Sequence, residues 1–179
     1  MSKRIRLWLI AALALCAAAA VGVTLSFMFK KAEKTNTFVP AEVTCKVEES
    51  LFSGVKSDVC VKNTGNAAAY LRIRLVSYYV YDNGSIAGRV SSQYPMLTLQ
   101  NGWIAGTDHT YYYLTPVEPG AKTGILCDPI TLGTVKLADG TTVYQVLEVF
   151  AEAIQAEPVG AVQEAWKVTV SDTKITAVP

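Results

Sequence analysis

The sequence predicts an all-β protein, an antiparallel jelly-roll-like β-sandwich preceded by an N-terminal hydrophobic signal or anchor helix. Three observations predict it: an uncharged leader, a remainder rich in Val, Thr and Tyr with regularly spaced turn residues, and segments of strict apolar/polar alternation without helical stretches between them. Seven to nine short strands at this spacing point to a sandwich rather than to a sheet with crossover helices.

The first six residues carry Lys3, Arg4 and Arg6 and no acid, and residues 7–29 carry no charged side chain. That is the basic start and apolar run of a secretory signal. Twenty-three apolar residues also suffice to cross a bilayer as a helix. Residues 1–29 therefore read as a signal sequence or a retained membrane anchor, with the N-terminus inside and the domain outside. Small residues at positions −3 and −1 occur at Ala18 and Ala20, and again at Thr24 and Ser26. Cleavage by a signal peptidase is expected between Ser26 and Phe27. Cys16 follows the bulky Leu15 and reads as a small apolar residue of the leader rather than a lipidation site.

About 150 residues follow, enough for one domain with a proper core. All 15 acidic residues and 13 of the 16 basic ones lie there, giving a formal charge of −2. With no basic patch, nucleic acid is not an expected partner. Residues 30–36 read as a polar linker, residues 37–172 as the sandwich domain and residues 173–179 as a loose C-terminal tail.

Within the domain, ordered chain begins over residues 38–47. A strand is expected over residues 55–62, where Val59 and Val61 alternate with Cys60 and Lys62, before the turn Asn63-Thr64-Gly65-Asn66. The clearest periodicity follows: Leu71, Ile73 and Leu75 share one face and Arg72 and Arg74 the other. That strand continues through Tyr81 to Asn83-Gly84, a pair suited to the positive φ angles of a tight hairpin. Residues 96–99 and 110–114 predict two more strands, and residues 125–132 another, with Pro129 marking an edge or irregular spot. Residues 141–155 read by composition as a long strand, with Glu148, Ala151, Glu152 and Ala153 leaving a helix as the alternative. Residues 161–166 predict one or two helical turns, and residues 168–170 a strand that closes the sheet.

Chemistry finds little purchase in these residues. His109 is the sole histidine, so any site needing two imidazoles is excluded, and it reads as an exposed loop residue. Cys45, Cys60 and Cys127 match no metal or redox spacing. Export permits a disulfide, for which Cys45 with Cys60 is the candidate pair; the alternative is three buried free thiols. Tyr111, Tyr112 and Tyr113 lie near Trp103 and offer a sugar-stacking cluster, but the middle ring of a strand faces away from its neighbours, and cross-strand packing is the more ordinary reading. Arg72 and Arg74 read as a solvated strand face paired with Glu148 and Glu152. No phosphate loop and no Gly-x-Ser-x-Gly elbow occurs. The expectation is a non-enzyme with no catalytic residue, no cofactor and no metal.

Several segments, taken in order, carry a family resemblance: the leader, Thr35-Asn36-Thr37-Phe38, the run from Val61 through Asn63-Thr64-Gly65-Asn66 to Ile73, Tyr111-Tyr112-Tyr113-Leu114-Thr115-Pro116, and Val149-Phe150-Ala151-Glu152-Ala153 with Trp166. The chain resembles the TasA/camelysin-like group of exported surface and biofilm-matrix proteins of Gram-positive bacteria. The resemblance implies a jelly-roll-like sandwich, export through a dedicated signal peptidase and assembly into extracellular fibres. Some relatives are described as surface metallopeptidases, but no zinc motif exists here to receive that role. The resulting expectation is a cell-surface or matrix structural protein that self-associates or joins a related matrix subunit. In it Asn36, Thr37, Phe38 and Val39 serve as an intermolecular strand, with membrane attachment through residues 7–29 if the leader stays. The alternative is a membrane-tethered binding module for a glycan or peptide, using Trp103 and Tyr111 to Tyr113.

Overall fold

The computed structural model describes residues 40–179. The chain divides into two units, Met1–Pro40 and Ala41–Pro179, and the second is described below. The expectations for the leader, the Ser26/Phe27 cleavage site, the linker and Asn36 to Val39 lie outside the described residues.

The described chain is mostly β, with antiparallel sheets and one short helix. A three-stranded sheet has the order β1-β2-β6, formed by β1 (Cys45–Phe52), β2 (Val55–Asn63) and β6 (Ile130–Thr131). A five-stranded sheet has the order β4-β5-β3-β8-β7, formed by β3 (Ala69–Val80), β4 (Trp103–Ala105), β5 (Thr110–Tyr113), β7 (Thr134–Lys136) and β8 (Thr142–Gln155). Helix α1 (Gly160–Trp166) leads to the separate hairpin of β9 (Thr169–Ser171) and β10 (Lys174–Ala177).

Alternation explains how the sheets share a core. Leu71, Ile73 and Leu75 of β3 point to one face and are essentially water-free, at 0, 0 and 2% exposure. They cluster with Val59 and Val61 of β2, Tyr111 of β5 and Leu147 of β8, so one hydrophobic cluster draws on both sheets. On the opposite face Tyr70 and Tyr112 are buried with Val162 and Trp166 of α1 and with Ile175 of β10. The helix and the last hairpin thus cover the end of that outer face around Tyr70 and Tyr112.

One β-bulge decides what β2 sends inward. Glu48 pairs with Cys60 but Ser50 pairs with Ser57, so Glu49 opposes both Asp58 and Val59. Asp58 takes φ +58, the left-handed region that side chains other than glycine seldom occupy. The extra residue shifts the alternation, and Lys56 falls on the same inward side as Val59 and Val61; all three are buried.

Several elements differ from the sequence reading. Residues 96–99 form no strand: Leu99 makes only an isolated bridge to Cys127, and the segment before it is pinned instead by Ser77 Oγ–H donating to Gln93 O at 2.5 Å. Of residues 125–132 only Ile130–Thr131 is strand, because Pro129 has no N–H to give a ladder. At Asn83-Gly84 only the glycine has positive φ, +80, and Gly84 N–H donates to Tyr81 O. That geometry is not the doubly left-handed hairpin turn, and the chain leaves after the single bridge Val80–Ile86. Two other hairpins use such turns, Ser53-Gly54 between β1 and β2 and Asp108-His109 between β4 and β5. Residues 168–170 do not close the large sheet, since β9 pairs with β10 alone. Residues 173–179 are not loose: β10 lies within them, Ile175 is 1% exposed, and Ile175 N–H donates to Leu114 O.

Candidate strand-acceptor groove

The long strand β8 is paired unequally on its two sides. Along one edge it pairs with β3 without interruption, from Gln155 opposite Ala69 to Tyr144 opposite Val80. Along the other, β7 reaches only Thr142, Val143 and Tyr144, and Gln145 N–H donates to Gly133 O. Beyond that point no strand among the described residues pairs with this edge of β8. Strand β1, at the margin of the other sheet, pairs with β2 alone.

Between these two free edges lies a groove of about 530 Å³, lined by Glu49 and Leu51 of β1, Lys56 of β2, Leu132, and Gln145 to Phe150 of β8. Its rim is apolar and accessible, with Leu51 62% and Phe150 45% exposed. Its wall holds an ion pair with a buried cation and an exposed anion: Lys56 is 4% exposed, and its Nζ donates to Glu49 Oε1 at 2.5 Å. A lysine is buried this far only when a carboxylate meets it, since an unpaired ammonium away from water is severely penalised. Glu148 accepts the Tyr78 phenol at 2.7 Å, which pushes the Tyr78 pKa up. Outside the groove, a second ion pair joins Lys122 to Glu48, the neighbour of Glu49 on β1, and holds the Glu48 carboxyl below its usual range.

Chemically this arrangement offers an extended segment backbone hydrogen bonds along an open edge, apolar contacts at alternate positions and net negative charge. Among the described residues no group of three or more metal-ligating side chains converges.

The other residues singled out from sequence are dispersed. Cys45, Cys60 and Cys127 are free thiols. The Cys45–Cys60 disulfide is ruled out by register: Cys45 lies opposite Asn63 and Cys60 opposite Glu48, so the two sit three positions apart along the ladder and on opposite faces. Burial pushes the Cys127 thiol up to about 11. Trp103, Tyr111 and Tyr112 are buried, and Trp103 meets Tyr113 edge-on at 5.2 Å across the β4–β5 pair, so these rings are packing and present no stacking platform. His109 is exposed and stacks on Tyr94. Arg72 pairs with Glu152 at 2.6 Å and also lies over the Trp166 ring at 4.7 Å, tying α1 to the sheet, whereas Arg74 is opposite Phe150 and Glu148 is taken by Tyr78.

Sequence reading missed the groove itself. The signal that was available is the disproportion between a 14-residue strand and the three-residue β7 beside it. Comparison with protein-family models, with curated proteins and with solved structures found no match to this chain.

Proposed function

We propose that the chain is an exported structural protein of the cell surface or extracellular matrix, a jelly-roll-like β-sandwich that polymerises by strand addition. In this reading Asn36, Thr37, Phe38 and Val39 of one copy enter the groove between β1 and β8 of the next, or of a related matrix subunit. The paired free edges of β1 and β8 are the observation that carries it. An extended segment laid there would satisfy backbone groups that β7 leaves without a strand, and alternate side chains would set its register. Phe38 would be the anchor, its ring leaving water against Leu51 and Val149 on the inward side of the groove; full burial of such a side chain is worth about 1.5–3 kcal/mol. Charge favours the same match, because Lys30, Lys31 and Lys34 outnumber Glu33 in the incoming segment while Glu49 and Glu148 outnumber Lys56 in the groove. The uncharged run over residues 7–29 supports export, with cleavage after Ser26 freeing the segment and retention of the leader tethering the domain to the membrane.

The test compares the domain beginning at Phe27 with one beginning at Glu42, both checked for folding by circular dichroism and for polymers by electron microscopy. Only the longer form should make fibres. If both polymerise alike, or if the native exported chain retains its leader, strand exchange is refuted.

A further inference from the structure

We propose that Asn101 is a site of spontaneous modification, its carboxamide closing onto the backbone nitrogen of Gly102 and opening in water to aspartate and isoaspartate. The Gly102 nitrogen attacks Asn101 Cγ and gives up its proton, the Cγ–Nδ2 bond breaks, and ammonia leaves with that proton. Water then adds to either carbonyl of the five-membered succinimide and reopens it, with no change of oxidation state. Glycine favours the first step because no Cβ screens the nitrogen that attacks.

The chain carries two Asn-Gly pairs, and the fold treats them differently. At Asn83-Gly84 both reacting groups are engaged. Gly84 N–H donates to Tyr81 O at 2.8 Å, and Asn83 Oδ1 accepts from Ser85 N–H at 3.0 Å and from Ser85 Oγ–H at 2.7 Å. At Asn101-Gly102 the turn is held around them instead: Trp103 N–H donates to Gln100 O, and Leu114 N–H donates to Gly102 O. Neither the Asn101 carboxamide nor the Gly102 N–H has a hydrogen-bond partner among the described residues, and Asn101 is exposed. The two reacting groups at Asn101-Gly102 are therefore held by no hydrogen bond of the fold.

The product has consequences where it forms. Asn101 borders a groove of about 470 Å³ that also holds Asp58 and Asp128, with no lysine or arginine in its lining, so a third carboxylate there meets two others. Isoaspartate also lengthens the main chain just before Trp103, a buried ring whose Nε1–H donates to Gly124 O at 3.0 Å. The isoaspartyl form should be less stable than the Asn101→Asp variant, which carries the same charge on an unaltered main chain.

The test is peptide mass mapping of the exported chain during storage in mildly alkaline buffer, with separation of the two products. Asn101 should convert roughly tenfold faster than Asn83, the ratio supplied by the one ordinary hydrogen bond, from Gly84 N–H to Tyr81 O, that the attacking nitrogen must give up. In strong denaturant the two rates should converge, because the difference resides in the fold. Asn101→Gln should abolish fast conversion there and leave Asn83 unchanged. Replacing Gly102 is a poor probe, since a Cβ at that position comes 2.8 Å from Tyr113 Cε2. Conversion of Asn83 as fast as Asn101 in the folded chain, or a rate difference that persists in denaturant, overturns the proposal.

Discussion

Replacing Ile73 by alanine should be far more damaging than replacing its neighbour Arg72, and the structure sets both magnitudes. Ile73 is 0% exposed, pairs across β3 with Tyr111 on one side and Ala151 on the other, and belongs to the cluster that both sheets share. Truncation leaves a cavity walled by two sheets, and such substitutions cost about 2–5 kcal/mol. Arg72 is not a free surface arginine. Its Nε and one terminal nitrogen both donate to Glu152 Oε2, at 3.1 and 2.6 Å, and the guanidinium lies over Trp166. A partly exposed ion pair contributes about 0.2–1 kcal/mol and a cation–π contact about 0.5–1, so Arg72→Ala should cost ~1–2 kcal/mol. With a urea slope of about 2 kcal/mol per molar, the midpoint should fall by ~1–2.5 M for Ile73→Ala and ~0.5–1 M for Arg72→Ala. Trp166 fluorescence would report loosening of α1 in the second variant. Equal losses at the two positions would mean that the face assignment of β3 is wrong.

Three further outcomes follow from the same geometry. Cys127 should resist thiol reagents at mildly alkaline pH, because burial holds its pKa near 11, and reductant should leave the melting temperature unchanged because Cys45 and Cys60 cannot bridge. Glu48 has its carboxyl pKa lowered chiefly by the hydrogen bond from Lys122. The stability it contributes is present above the unfolded carboxyl value and is lost as pH falls through the folded one, so Lys122→Ala should flatten the acid limb of a midpoint-against-pH curve. Protease added to intact, wall-stripped cells should digest the domain, and full protection until lysis would contradict export.

How much of this was legible in the residues depends on how local the cause is. The buried face of β3 was readable because Leu71, Ile73 and Leu75 alternate strictly with Arg72 and Arg74, and a period of two has one structural meaning. The pairing of Arg72 with Glu152 was readable for the same reason. Lys56 was not, since only the bulge at Asp58 turns it inward, and a bulge is set by the pairing of β1 with β2 rather than by alternation in either strand. The extended runs at 96–99 and 125–132 read as strands by composition. Whether such runs join a ladder depends on a partner edge, and here Pro129 and the Gln93 anchor remove it. The tail misled differently: its polar residues flank Ile175, whose burial depends on Tyr70 and Trp166 far back in the chain. The groove was the least legible feature, because a free edge is defined by strands that stop short of it.

The most direct measurement is a titration of the isotope-labelled domain beginning at Glu42 with a peptide spanning residues 27–40, followed by backbone amide shifts. Strand addition predicts saturable shifts concentrated at residues 49–51 and 146–150, protection of those amides from hydrogen exchange, and weaker binding by a peptide with Phe38→Ala. Absence of binding, or shifts centred away from β1 and β8, would contradict the assignment of this groove as the acceptor.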